Sequence, residues 1–503
     1  MVPKSAASRQ TSISAVIICI FALFIGFWCF FSARWFVTIY GRIGFDSILY
    51  TLGSSLDGMD PKLLLQYLLQ ACLPCILSTG LVSVLAFCLP LKKKGKYETG
   101  PHFRAGSVRF CAVLVLILLC IAAFDCELVE YIQDQLSDTS LYESYYTDPT
   151  LISISFPEEK RNLIYIMLES METSYLSKEL GGAMETNLIP ELYRLANNNI
   201  CFSDGKASVG GFHTTAGATW TIGSMVAQTA GIPLKTPTED VNQYGAEGEA
   251  FLPGATTLTN ILRDNGYYQA LMVGSDVSFG GREAYFSQHG TDEILDIYTA
   301  RADGIIPKDY FVWWGMEDMY LFEYARQKLA EISVKEQPFA FTMLTVDTHH
   351  VGGYQCQLCS ESASGESYDQ SISCSSRQVY DFVRWIQNQP FYENTTIIIV
   401  GDHESMDNGY FERNVEEDYQ RMMYNCFINP VPTAKRLCNR QWTAVDLFPT
   451  TLAALGATIP GDRLGLGTNL FSGKNTLCEK YGFEAFNEEL SKASDYYEEN
   501  FWN

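Results

Sequence analysis

Apolar residues are grouped along this chain in two different ways. Before residue 126 they form three long runs, at about 15–33, 63–89 and 108–126. Each approaches the ~20 residues that cross ~30 Å of hydrocarbon as a helix. The first, Ala15 to Phe31, is almost unbroken, and the second is interrupted only by residues such as Gln70, Ser78 and Thr79. The third is short (Phe110 to Phe124) and needs its flanks or a snorkelling Arg109 to span; its competing reading is a buried core helix. A cleavable signal peptide fits the first run poorly, because it is too long and no small-x-small site precedes Trp35. After residue 160 the apolar runs shorten to strand length: Asn162–Leu168, Gln269–Val273, Phe339–Val346 and Thr395–Val400. Helical patterns such as Tyr320–Ile332 and Gln378–Gln387 separate them. Continuous apolar strands alternating with helices predict an α/β domain with a mainly parallel sheet covered on both faces. The expected organisation is a membrane module over 1–126, a juxtamembrane linker over 127–160, the α/β domain over 161–475 and a tail over 476–503.

Charge sharpens that division. Residues 1–125 carry 11 Lys/Arg against 5 Asp/Glu, whereas the rest of the 503-residue chain carries 24 against 53, a net −29. An acidic domain of this kind is a poor nucleic-acid binder. Lys4 and Arg9 precede the first span, and Lys92, Lys93, Lys94 and Lys96 lie between the second and third. Both clusters belong on the cytoplasmic side. The expectation is a multi-pass protein of the plasma (inner) membrane, with the loop Gly41–Lys62 and the C-terminal domain outside, extracellular or periplasmic.

Eight of the fifteen cysteines lie at or before Cys126, mostly within apolar runs. The others are Cys201, Cys356, Cys359, Cys374, Cys426, Cys438 and Cys478. Cys356, Cys359 and Cys374 have zinc-knuckle or redox spacing. The polar loop around them, the exterior compartment and the lack of a nearby fourth ligand favour disulfides, with the pairing open.

The chemistry concentrates at strand ends, where parallel α/β sheets bind ligands. The first strand runs into Glu169-Ser170, the Phe339 strand into Asp347-Thr-His349-His350, and the last into Gly401-Asp402-His403. Carboxylates beside imidazoles suit Mn²⁺, Mg²⁺ or Zn²⁺; singly, each of these residues is also an ordinary turn former. Between the first two strands, a Gly/Thr-rich loop from Gly210 leads into a helix ending near Gly231-Ile-Pro233. A hydroxyl at the start of that helix sits among unpaired N–H groups, which favour an alkoxide or a phosphate. Thr219 and Thr221 both qualify, as nucleophile or as plain cap. Ser224, one turn after Thr221, is small enough to leave room for a phosphoryl group.

Several separated motifs carry a family resemblance over about residues 161–472. They are Ile164-Tyr-Ile-Met-Leu-Glu169-Ser170, the Thr/Gly loop with Gly231-Ile-Pro233, Gly274-Ser-Asp with Phe279-Gly-Gly-Arg282, Trp314-Gly-Met-Glu-Asp318, Asp347-Thr-His349, Val400-Gly-Asp402-His403 and Asp446-Leu-Phe-Pro449. The chain resembles the alkaline phosphatase/sulfatase superfamily. Within it, it is similar to the membrane-anchored phosphoglycerol transferases of the lipoteichoic acid synthase and osmoregulated periplasmic glucan type. The resemblance implies an alkaline-phosphatase-like α/β/α sandwich holding one divalent metal, Mn²⁺ with Mg²⁺ or Zn²⁺ as alternatives. It implies Glu169, Thr221, Asp402 and His403 as metal ligands, and Thr221 as the nucleophile. Thr221 is favoured over Thr219 because the sulfatase spacing then places Ser224 at +3 and Gly231 at +10. His349 matches a substrate-contacting histidine. The family's proline two residues later is Val351 here, which keeps His350 in play as a substrate residue. Arg282 matches an arginine that contacts glycerolphosphate, while the tryptophan two residues before it in lipoteichoic acid synthases is Gly280. Three spans, against five in typical lipoteichoic acid synthases, favour the glucan type or a less studied branch.

The activity so implied is two-step transfer of phosphoglycerol from a membrane phospholipid, phosphatidylglycerol, to a glycan or polyglycerolphosphate acceptor through a phospho-threonine. Three alternatives remain: a phosphoethanolamine transferase, a sulfatase-like phosphodiesterase and a non-catalytic domain that binds glycan or polymer. A sulfatase proper is disfavoured by threonine standing where formylglycine formation needs Cys or Ser.

Overall fold

The computed structural model of the protein describes residues 4–41, 44–53, 61–88, 91–93, 96–98, 105–235, 250–360 and 365–502. Lys94 of the basic cluster and parts of the 41–62 loop lie outside these residues. The chain forms two compact units, residues 1–45 with 60–132, and residues 46–59 with 133–503.

In the first unit three helices, Ser14–Tyr40, Leu63–Phe87 and Gly106–Asp125, are long and apolar enough to cross a membrane. The third is the end of a 21-residue helix, Ala105–Asp125, so its flanks supply the length that its apolar core lacks. Leu23, Cys75, Phe87, Cys111 and Leu118 pack inward, while Ile17, Phe21, Leu65, Ile76, Leu116 and Phe124 stay exposed, as lipid-facing positions do. A π-helical turn at Leu68–Cys72 ends two residues before Pro74 in the second of these helices. Proline offers no N–H and crowds the carbonyl four residues earlier, so the helix widens there.

The second unit is built on a seven-stranded sheet, numbered here in chain order: β1 (Asn162–Leu168), β2 (Gly211–Phe212), β3 (Tyr268–Val273), β4 (Glu293–Leu295), β5 (Phe339–Leu344), β6 (Thr395–Gly401) and β7 (Met423–Ile428). The spatial order is β2-β7-β6-β1-β5-β3-β4. Strands β6, β1, β5, β3 and β4 are mutually parallel; β7 runs antiparallel to β6, and the edge strand β2 antiparallel to β7. Along β1, Leu163, Tyr165 and Met167 enter one core and Ile164, Ile166 and Leu168 the other. Burial on both faces is why this strand reads as an unbroken apolar run. The four strands expected from the sequence are present, whereas β7 and the two- and three-residue strands β2 and β4 were not anticipated. Strands so short are set by a neighbour's free edge and not by any local pattern.

The stretches expected to be linker and tail both fold onto this unit. Leu141 and Tyr142 share one core with Phe486, Leu490, Tyr497 and Phe501. The Thr139 N–H bonds the Ala493 carbonyl, and the Tyr142 and Tyr497 rings meet edge to face at 5.5 Å. Scattered aromatics in a polar stretch have no readable period, but together they bury a full layer.

Candidate active site

Register brings the strand ends together. Leu168 pairs with Gly401 and Met167 with Leu344, so β5, β1 and β6 finish on one edge. The Asp402 N–H bonds the Leu168 carbonyl at 3.1 Å, and the Glu169 N–H bonds Thr345 Oγ1 at 3.0 Å. Gly401 permits the close approach: a Cβ there would lie 2.1 Å from the Met171 carbonyl oxygen. Ser170, next after Glu169, turns through a left-handed φ of 51°. Its N–H bonds Asp402 Oδ1 at 2.8 Å, and its hydroxyl donates to Glu169 Oε1 at 2.9 Å. A strained turn is thus held by bonds to both acids, as backbone strain at functional sites commonly is.

The helix α1 (Thr221–Ala230) starts at the same edge. Its N-cap is Trp220, with no side-chain cap, and Gly231 closes it at φ 68°. Ser224 does not leave space for a ligand: it is fully buried, and its hydroxyl bonds the Asp402 carbonyl at 2.5 Å. Gln228 Nε2 in turn donates to Ser224 Oγ at 3.0 Å, and Tyr165 OH to Gln228 Oε1 at 2.8 Å. These bonds moor the helix to the end of β6. They leave Thr221 facing the cluster, with Oγ1 3.3 Å from His403 Nε2. Thr219 points elsewhere, its hydroxyl 3.5 Å from that of Ser47.

Glu169, Asp402 and His403 are buried, and Thr221 is half-buried. His403 Nε2 lies 3.6 Å from Glu169 Oε1 and 3.4 Å from Asp402 Oδ2. His403 Nδ1 is 2.8 Å from the Glu404 carbonyl, which fixes its proton there and turns the Nε2 lone pair toward the acids. Asp402 Oδ1 accepts the N–H groups of Ser170 and His403 (2.8 and 2.7 Å), whereas its buried Oδ2 accepts no hydrogen bond among the described residues. Burial, then repulsion from Glu169, pushes Asp402 up to about 7. His403 is raised: burial alone would lower it, but Asp402 and Glu169 outweigh burial. Donors about 2.1 Å from one ion in a tetrahedron stand about 3.4 Å apart, close to the 3.3–3.6 Å measured around Nε2. An orphaned carboxylate oxygen, two acids in one dry site and this spacing fit a divalent cation.

The other sequence-derived residues ring this cluster. His349 is half-buried, with Nδ1 2.7 Å from the His350 carbonyl and its ring against Trp314 at 4.5 Å. Burial lowers its pKa against the pull of Glu169. His350 is buried and stacks on His349 at 4.4 Å; burial, His349 and His403 hold it well below the ordinary value, so it is neutral. Arg282 opens a short helix after β3, its guanidinium bound to the Phe279 and Asp276 carbonyls (2.9 and 2.6 Å) and Ser275 Oγ (3.1 Å). Asp347 is not part of the cluster. It pairs with Asp318, whose N–H bonds Asp347 Oδ1 at 3.1 Å, and burial raises both carboxyls. Sequence reasoning gave no role to Trp314, although the Trp314–Asp318 motif contained it. Its ring joins His349 to Phe279, at 5.6 Å.

A dry acid–acid–imidazole cluster at the carboxyl edge of a doubly covered sheet, with a helix-start hydroxyl against it, is the arrangement of the alkaline phosphatase superfamily. The family model described as Sulfatase matches residues 161–457, and the chain belongs to that family. Phosphoglycerol transferase I of Xanthomonas campestris pv. campestris (strain B100) is 31% identical over 321 residues, 63% of this chain and 43% of the relative. Phosphoglycerol transferase I of Escherichia coli O127:H6 is 28% identical over 448 residues, 86% of this chain and 53% of the relative. The chain thus spans about half the length of these curated relatives. Among solved structures, the lipooligosaccharide phosphoethanolamine transferase A of Neisseria meningitidis has a TM-score of 0.49 at 11% identity, covering 88% of this chain and 84% of that one.

Proposed function

We propose that this protein is a membrane-anchored transferase that moves a phosphoglycerol group from phosphatidylglycerol to a glycan or polyglycerolphosphate acceptor, with Mn²⁺ held by Glu169, Thr221, Asp402 and His403. The observation that carries the reading is the place of Thr221: a hydroxyl at a helix N-terminus, 3.3 Å from an imidazole shared by two buried acids. The ion, when bound, supplies Lewis-acid charge and acidifies the hydroxyl.

The remaining chemistry belongs to the chain. Thr221 Oγ1 attacks phosphorus, the bond to diacylglycerol breaks and a glycerophospho-threonine remains. N–H groups in the first turn of α1 have no intrahelical acceptor and receive the phosphoryl oxygens. Arg282 adds a fixed positive charge, which an otherwise acidic domain needs for an anionic donor. With Nδ1–H committed to a carbonyl, His349 presents an unprotonated Nε2, which takes the proton that Thr221 gives up and passes it to the leaving diacylglycerol oxygen. In the second step it takes the acceptor hydroxyl's proton and returns it to Thr221. Its lowered pKa keeps the resting form neutral and makes the protonated form a strong donor. The positive-inside pattern supports an orientation with this chemistry outside the membrane, facing a donor in the outer leaflet.

The test is a donor-only incubation of the full chain in detergent with Mn²⁺ and fluorescent phosphatidylglycerol. Expected are one equivalent of diacylglycerol and a glycerophosphate adduct on Thr221. Consumption of phosphatidylethanolamine with phosphatidylglycerol untouched would replace the reading with phosphoethanolamine transfer; no adduct from either lipid would end it.

A further inference from the structure

A second constellation of metal-ligating side chains lies outside the active site. Cys356 and Cys359 sit on the loop that leaves His349 and His350, and Cys374 sits on α2 (Ser367–Gln387). Cys356 Sγ is 3.9 Å from Cys359 Sγ and 3.8 Å from Cys374 Sγ, and all three sulfurs lie within 4.8 Å of one another. They therefore form a compact triangle, with Cys356 and Cys374 buried and Cys359 half-buried. Thiolates about 2.3 Å from a tetrahedral Zn²⁺ stand about 3.8 Å apart. The turn is also suited to it: the Cys359 N–H bonds the Cys356 carbonyl at 3.0 Å, closing the Cys-x-x-Cys loop so that both sulfurs point one way. Gln378 Nε2 lies 3.5 Å from Cys374 Sγ and 3.9 Å from Cys356 Sγ, an amide donor placed to stabilise thiolates.

We propose that Cys356, Cys359 and Cys374 bind a thiophilic d¹⁰ cation, Zn²⁺, with water at the fourth position, and so pin the histidine-bearing loop to α2. This differs from the disulfides expected on compartment grounds. Three sulfurs at the corners of one face can all serve one ion, whereas a disulfide uses two and strands the third. Binding releases the thiol protons, and no electrons move. The loop is otherwise tied to α2 by Gln355 Nε2, which donates to the Ser367 carbonyl and Ser371 Oγ, both at 3.0 Å. The ion would complete a clip seven residues beyond His349.

The test uses full-length protein with Asp402→Asn, which silences the first site, so that the result is independent of the reading of the active site. After loading with Zn²⁺ and removal of excess, one zinc per chain is expected, and none in Asp402→Asn/Cys374→Ser. Replacement by Co²⁺ should give a thiolate-to-metal charge-transfer band that the double variant lacks. If the double variant fails to fold, the band in Asp402→Asn alone decides. Hydrogen exchange over residues 347–359 should slow at least threefold on zinc binding. A disulfide among the three cysteines in protein purified without reductant overturns the proposal, as does the absence of both zinc and the cobalt band.

Discussion

Asp402→Asn should make the metal-free protein more stable while destroying its metal site. Asparagine keeps the shape, and its oxygen can still accept the Ser170 and His403 N–H groups that now bond Oδ1. What disappears is a buried negative charge beside Glu169. Burial and that repulsion raise the folded pKa of Asp402 from the usual 3.8 to about 7. A raised folded pKa means stability that is complete below pH ~4 and lost as the pH climbs through about 7. Three pH units correspond to about 4 kcal/mol above pH 7. Because asparagine is itself a polar group that stays buried and leaves an amide N–H₂ to satisfy where Oδ2 now lies, this is a ceiling, and about 2 kcal/mol is the working figure. The assay is thermal unfolding in detergent with chelator at pH 8 and at pH 4–5, with metal content measured in parallel. The variant should melt several degrees higher than the wild type at pH 8, the gap closing near pH 4. Added Mn²⁺ should stabilise the wild type and leave the variant unmoved. A variant less stable than wild type at pH 8 in chelator, or one retaining stoichiometric Mn²⁺, would refute the account of this cluster.

Three further outcomes follow from the same geometry. Thr221→Ala should abolish the covalent adduct and cut turnover by at least about 10⁴-fold, while Thr219→Ala, which loses only a 3.5 Å contact to Ser47, should cost under about 1 kcal/mol and little activity; an adduct mapped to Thr219 reverses the assignment. Ser224→Ala leaves the buried Asp402 carbonyl without its hydroxyl donor and should destabilise by about 1–3 kcal/mol with weakened Mn²⁺ binding; unchanged affinity in a calorimetric titration would show that the mooring is not needed. Arg282→Lys cannot keep three acceptors on one fork, so the KM for lipid donor should rise roughly tenfold, by about 1.4 kcal/mol; an unchanged KM would remove Arg282 from donor recognition.

Much of the site was legible because its parts are punctuated by strand ends. Glu169, His349, Asp402 and His403 each follow an apolar run, and one structural rule about parallel sheets sends all such residues to one edge. Other features had no local signal. Asp347 ends a strand just as Asp402 does, yet it turns away to pair with Asp318. Ser224 looked like a space-maker and is a strut. Trp314 lies in a loop far from any histidine in sequence, and only the fold brings its ring to His349.

The sequence by itself determined the three long apolar helices, the α/β class, the acidic character of the C-terminal unit and the residue types at the strand ends. Apolar runs and their periods are local properties, expressed wherever the chain is placed in water or lipid. Tertiary structure decided that β1 lies between β5 and β6, turned Thr221, which the sulfatase spacing already favoured over Thr219, toward His403, and brought together three cysteines from a loop and a helix. These choices turn on register and on helix rotation, where a shift of one residue moves a side chain to the opposite face. The energy that settles them is the packing of two whole cores, to which Thr221 contributes almost nothing.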